Sequence, residues 1–192
     1  MTRNAPPARA AILAALAAML LAACGSDGGG GSGGPGPDYS EALAGAPAPL
    51  AALHRQANQL LPGEADAFEQ RLERVSGFPV VVNKWASWCG PCRFEFPFFQ
   101  NLAARYGKRV AFIGVDSDDS NDAARTFLRE FPVPYPSYTD PDQEVAGVFN
   151  ATLGFPATAF YDRSGELKYL KQGGYDSQEE LAADIREHAL AG

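Results

Sequence analysis

Val80-Val81-Val82-Asn83-Lys84-Trp85-Ala86-Ser87-Trp88-Cys89-Gly90-Pro91-Cys92-Arg93-Phe94-Glu95-Phe96-Pro97 is the stretch that decides the fold. Residues Pro79 to Ala86 form an apolar run of strand length, and a helix is predicted from Pro91 to Tyr106 with a kink at Pro97. Two cysteines three apart at such a junction can close a disulfide with each other and open it again, which makes the chain a candidate carrier of two electrons. The bare C-x-x-C spacing is a weak signal, because zinc sites share it. Its place between a strand and a helix turns it into a redox motif. A zinc half-site would need two more ligands, and the chain offers only His54 and His188, both read as surface residues. A permanent bridge is the remaining alternative, and structural disulfides seldom close so small a loop at a helix start.

Outward from this stretch the pattern alternates. Helices are predicted over Ala48 to Leu61 and Ala65 to Val75, a strand over Arg109 to Val115, and helices over Asn121 to Phe131 and Gln143 to Phe149. Pro132 to Pro136 reads as an irregular turn. Strands Ala157 to Asp162 and Leu167 to Lys171 flank the turn Arg163-Ser164-Gly165-Glu166. A last helix, Ser177 to Ala189, opens with a Ser177…Glu180 capping box. Interleaved helices and strands imply an α/β fold, with a central mixed sheet flanked by helices on both faces. No internal repeat is present.

The remaining cysteine, Cys24, has its own explanation. Residues 1–23 combine a short basic start, Arg3 and Arg9, with an apolar segment too short to span a bilayer, the layout of a secretory signal peptide. Leu21-Ala22-Ala23-Cys24 resembles a bacterial lipobox, which implies cleavage before Cys24 and lipidation of its sulfur; an ordinary signal peptide that happens to contain a cysteine is the plainer reading. A Gly- and Pro-rich tether then covers 24–49, its flexible part reaching roughly 25–30 Å, and 50–192 forms one domain. A diacyl anchor supplies two chains, enough for stable attachment to a membrane. The formal net charge is −7. A basic footprint for nucleic acid is therefore missing.

The quoted stretch resembles the core of the thioredoxin superfamily, and more narrowly the TlpA/ResA-like group of membrane-tethered thioredoxins. Phe112-Ile113-Gly114-Val115-Asp116, Asp140-Pro141-Asp142-Gln143-Glu144-Val145-Ala146 and Gly154-Phe155-Pro156-Ala157-Thr158 resemble further family segments, in the family's order. The resemblance covers about Phe68 to Leu190. It implies a thioredoxin fold with a TlpA-like insertion between Asp116 and Pro156, and a cis peptide at Pro156 facing the disulfide. Two residues depart from the pattern: Lys84 stands where an aromatic is usual, and Phe155 is bulkier than expected. The buried Asp of thioredoxin proper is Asn83 here, and its lysine companion aligns with Phe112. The resemblance implies that Glu95 helps proton transfer, with another group or water as the alternative; a solvated helix residue is the plainer reading of Glu95.

Roles follow for the site. Cys89 at the helix start should be the acidic, attacking thiol, because free N–H groups and the helix dipole favour negative charge there. Cys92, one turn in, should be more buried and should resolve the mixed disulfide. Gly90 and Pro91 shape the loop between them, and Pro91 pre-sets the first turn. Trp88 is expected to form an apolar rim for partners, whereas Trp85, Phe94, Phe96, Phe98 and Phe99 are expected to pack the core. The expected function is an exported, lipid-anchored, monomeric thiol–disulfide oxidoreductase without cofactor or metal. It would reduce disulfides of exported proteins, for instance apocytochrome c cysteines, and be reset by a membrane electron donor. A disulfide-forming oxidase, which needs an electron acceptor instead, is one alternative. A non-enzymatic Cu(I) chaperone is another; soft thiolates suit Cu(I), but the mature chain lacks a nearby Met or His.

Overall fold

The computed structural model describes residues 38–191 together with Met1. The expected signal peptide, the lipidation residue Cys24 and the Gly-rich part of the tether lie outside the described residues. Strand β2, Val80–Trp85, is buried at every position, as expected of a strand covered on both faces. It pairs in parallel with β3, Ala111–Ser117, and antiparallel with β5, Ala157–Tyr161. Beyond β3 lie β4, Ser137–Asp140, and the two-residue β1, Leu60–Leu61, both parallel. Beyond β5 lies the antiparallel β6, Leu167–Gln172. The mixed sheet runs β1-β4-β3-β2-β5-β6.

Side chains alternate across a strand, so β2 feeds two cores. Val81 and Trp85 pack with Phe96 and Phe99 of α4 (Gly90–Tyr106), Phe127 of α5 (Asn121–Glu130), and Leu181 of α7 (Gln178–Asp184). Val80 and Val82 pack with Leu50 and Leu53 of α2 (Ala48–His54), Phe68 of α3 (Ala65–Arg74) and Val145 of α6 (Glu144–Val148). Asn83 and Lys84, adjacent in sequence, therefore face opposite sides of the sheet. Pro97 sits inside α4 and leaves the Arg93 carbonyl without its usual donor.

The structure corrects three expectations and adds a strand. The tether was placed at 24–49, yet α1 (Ser40–Leu43) already buries Leu43, and the Tyr39 hydroxyl donates to the Pro132 carbonyl at 2.9 Å. The folded domain therefore begins about Tyr39 and not at residue 50. The helix expected over Ala48 to Leu61 stops at His54. Asn58 adopts φ 60, a conformation asparagine tolerates. Its side chain is stitched into the neighbouring loop, donating to the Leu128 carbonyl and accepting from the Val133 N–H, each at 3.0 Å. The strand β4 went unread because it is polar. Its buried Ser137 accepts from Trp85 Nε1 at 3.2 Å, and Asp140 accepts from the Ser117 hydroxyl and the Val145 and Ala146 N–H groups. Gly114 permits the approach, since a Cβ there would collide with Ser137. The histidines are half-buried and not free surface residues: His54 lies by Gly107, and the His188 ring packs tilted against Tyr169, centroids 4.3 Å apart.

The final helix keeps the Ser177 cap, whose hydroxyl accepts from the Glu180 N–H at 3.2 Å, but Glu180 reaches Asp176 and not Ser177. Beyond Asp184 it continues as a π-helical turn, Ile185–Ala189. Among the described residues no helix is long and apolar enough to cross a membrane.

Candidate active site

Strand β2 ends at Trp85, and the chain turns through Ala86, Ser87 and Trp88 into α4. Cys89 is the N-cap of that helix, and its Sγ accepts the Cys92 N–H at 3.2 Å. A sulfur in this position receives an otherwise unsatisfied donor and faces the positive end of a 17-residue helix. Cys89 and Cys92 form a disulfide with Cα atoms 5.2 Å apart. Both cysteines are buried, Cys89 at 3% and Cys92 at 0% exposure; the N-cap position of Cys89 makes its sulfur the outer one, with Cys92 one turn inside the helix. Gly90 projects into open space, so nothing crowds that side of the bridge.

Beneath the cysteines lies Glu95. It shares the inward face of α4 with Cys92, Phe96 and Phe99 and is fully buried. The plainer reading of a solvated residue does not hold. Its Oε1 accepts from Asn83 Nδ2 at 3.1 Å, and its Oε2 accepts from the Tyr175 N–H at 3.0 Å. Burial pushes the carboxyl up from 4.5 to about 7, against the pull of these two donors and of Lys171. Gly174 closes the top: a methyl built there would lie 3.5 Å from Glu95 Oε2, Pro156 Cγ and Pro91 Cβ alike. Glu95, Pro91 and Pro156 thus surround one point.

The outer wall is aromatic. Trp88 is 57% exposed, and its Nε1 donates to the Asp118 carbonyl at 2.8 Å. Its ring meets Phe155 edge-on, centroids 4.9 Å apart. The Phe155–Pro156 peptide is cis, and the Pro156 carbonyl accepts from the Gly173 N–H at 2.9 Å. The turn before Cys89 is pinned by Asp119, which accepts from the Ser87 N–H at 2.6 Å. Asp116 is buried under this turn; burial, and then the charges of Asp119 and Asp140, raise its carboxyl from 3.8 to about 8. Phe94 was expected in the core but is 61% exposed, with its ring edge-on to Phe98.

Lys84 is fully enclosed, and its role was not legible in the sequence. Its Nζ donates to Gln143 Oε1 at 2.8 Å, the Ala151 carbonyl at 2.7 Å and the Gly154 carbonyl at 3.2 Å. Burial lowers its pKa, while the charges of Asp140 and Asp118 pull it back up. Also missed were Asn83 as the partner of Glu95, the Asp118-Asp119 clamp and the Gly174-Tyr175 cover. The site therefore unites Trp88, Cys89, Gly90, Pro91, Cys92, Glu95, Phe155 and Pro156; Cys24 lies outside the described residues. Among the described residues no group of three or more His, Cys, Asp and Glu could hold a metal. His54 sits by Gly107 at the far end of α4 from the cysteines.

A Redoxin family model matches residues 43–185. The thiol-disulfide oxidoreductase ResA of Oceanobacillus iheyensis is 31% identical over 112 residues, 57% of each chain. The thiol:disulfide interchange protein DsbE of Pseudomonas fluorescens is 36% identical over 112 residues, 57% of this chain and 61% of that one. DsbE of Escherichia coli is 31% identical over 136 residues, 71% of this chain and 69% of that one. The chain thus spans less than two thirds of the length of the first two relatives. Among solved structures, Mycobacterium tuberculosis (MTB) dsbF, in mixed oxidized and reduced forms, superposes with a TM-score of 0.56 at 32% identity, over 61% of this chain and 85% of that one.

Proposed function

The chain belongs to the Redoxin family, and on that premise we propose that it is a thiol–disulfide oxidoreductase acting on exported proteins outside the cytoplasm. The observation that carries this reading is the graded cysteine pair: an outer sulfur at a helix N-cap and an inner one fully enclosed beside it.

The favoured direction is reduction of the substrate. The thiolate of Cys89 attacks one sulfur of a substrate disulfide; that S–S bond breaks, a mixed disulfide forms, and the substrate's other sulfur leaves as a thiolate and takes up a proton. Cys92 then loses its proton and attacks Cys89 Sγ. The second substrate sulfur departs, and the Cys89–Cys92 bond closes. Two electrons pass from the chain to the substrate, so a donor must reduce the pair before the next cycle. Glu95, buried on the same helix one turn beyond Cys92, would accept the Cys92 proton; a carboxyl near 7 is matched to proton exchange at neutral pH. The Pro156 carbonyl is already engaged by Gly173, so an extended substrate would pair along the backbone of Phe155. Disulfides of exported polypeptides, with apocytochrome c cysteines as the example, are the substrate class proposed. The Cys-Gly-Pro-Cys sequence leans toward reduction, since potentials near −270 mV go with thioredoxin and near −120 mV with DsbA.

The test is insulin reduction with dithiothreitol as donor. Cys89→Ser is expected to abolish catalysis above the uncatalysed rate; a variant as fast as wild type sinks the proposal. A midpoint potential above roughly −150 mV would assign the chain to disulfide formation instead. The proposed lipid anchor has its own check. Cys24→Ser is expected to move the protein from the membrane to the soluble fraction, and unchanged partitioning would remove the anchor from the reading.

A further inference from the structure

Lys84 and Phe155, far apart in sequence, meet in the folded chain. Lys84 Nζ lies 3.9 Å from the centroid of the Phe155 ring. Lys84 belongs to the face of β2 opposite Asn83 and the redox helix, and the segment before Pro156 wraps around to reach it. An ammonium has three donors, and here each has an acceptor: Gln143 Oε1, the Ala151 carbonyl and the Gly154 carbonyl. Enclosing a charge is expensive unless its hydrogen bonds are all made. The two carbonyls bracket the segment 151–154, so they fix it at both ends, and the face of the next residue, Phe155, completes the shell. The same Phe155 ring meets Trp88 edge-on, centroids 4.9 Å apart, and Trp88 is the chain neighbour of Cys89. Next to them Leu153 is 89% exposed. The cation thus backs the Phe155–Trp88 pair that lies beside Cys89.

We propose that Lys84 is a positioning residue that holds Phe155 against Trp88 and so builds an apolar wall that selects substrates carrying an apolar side chain next to the reacting cysteine. Lys84 touches no reacting atom; it acts through Phe155. The inference rests on the oxidoreductase reading above and names the substrate preference of that same site.

The experiment compares two extended peptide disulfides, identical except for Leu or Ser beside one cysteine, with dithiothreitol as donor and the full chain as enzyme. Wild type is expected to show a KM about tenfold lower for the Leu peptide, the discrimination a few buried methylenes give. Lys84→Met should raise the Leu-peptide KM to that of the Ser peptide, with kcat and the midpoint potential of the cysteine pair unchanged. Gln143→Asn removes one acceptor at a left-handed position that asparagine tolerates, and should shift KM the same way by about threefold. It carries the test should Lys84→Met fail to fold. In a double-mutant cycle, Lys84→Met with Phe155→Leu should be strongly non-additive, because the two side chains act as one unit. A preference that survives in both Lys84→Met and Gln143→Asn, or a wild type with equal KM for the two peptides, overturns the inference alone. A fall in kcat for both peptides together with a shifted potential also overturns it, by showing a general structural role. A wild type that reduces neither peptide overturns the oxidoreductase reading itself.

Discussion

Cys92→Ser is expected to stop the reaction halfway. Attack on a substrate disulfide needs only the outer sulfur at the helix N-cap, so the variant should still form the mixed disulfide. Release needs a second sulfur held within bonding distance, and wild type supplies it from the enclosed side of the same turn. An intramolecular nucleophile so placed has a very high effective concentration. Its loss should lower turnover at least about 100-fold and leave a stoichiometric adduct at Cys89. Non-reducing electrophoresis would show the adduct with a single-disulfide substrate, and dithiothreitol would release it. The matching Cys89→Ser variant should give no adduct, because Cys92 is fully enclosed and cannot meet a polypeptide sulfur. If Cys89→Ser traps substrate and Cys92→Ser does not, the roles of the two sulfurs are reversed. If neither traps, the exchange mechanism is wrong.

The order of exposure behind that prediction was legible in the sequence, and the reason is local. A helix start places residue 89 outside and residue 92 one turn in, whatever the rest of the fold does. The same holds for β2, whose unbroken apolar run requires cover on both faces. What stayed hidden depends on distant partners. Strand β4 is Ser-Tyr-Thr-Asp, a polar string that becomes a buried strand only because Trp85, Ser117 and the start of α6 satisfy its side chains. Lys84 could not be explained from its neighbours, since its acceptors are 59 to 70 residues away. Glu95 is a different case. It shares helical spacing with Cys92 and Phe99, the buried stripe of α4, a signal for an inward position that the solvated reading of Glu95 passed over. The run of four phenylalanines around it masked that stripe, and one of them, Phe94, faces solvent.

Glu95→Gln should therefore make the protein more stable and less active, in a pH-dependent way. The carboxyl is raised in the folded chain from 4.5 to about 7 by burial. A raised folded value means that the native state holds the proton more tightly than the unfolded chain does. The favourable contribution is complete below about pH 4.5 and fades as pH climbs through about 7, where the native state must enclose a charge. Over that interval the loss amounts to at most about 3 kcal/mol. Glutamine is neutral at every pH and can keep the contacts. Its oxygen can accept from the Tyr175 N–H, and once the Asn83 amide turns over, its NH2 can donate to Asn83 Oδ1, which has no partner in the wild type. Differential scanning calorimetry should show the variant melting roughly 5–10 °C above wild type at pH 8 and level with it at pH 4. Catalysis should move the other way. Resolution of the mixed disulfide in wild type should speed up as pH passes 7, and in Glu95→Gln it should be about 100-fold slower, with that inflection gone. A variant equally active at all pH values would remove Glu95 from the proton path. A variant no more stable at pH 8 would show that the ionised carboxylate is satisfied by its two donors. Obtaining both gains and losses would identify the buried acid as a group kept for proton transfer at the expense of stability.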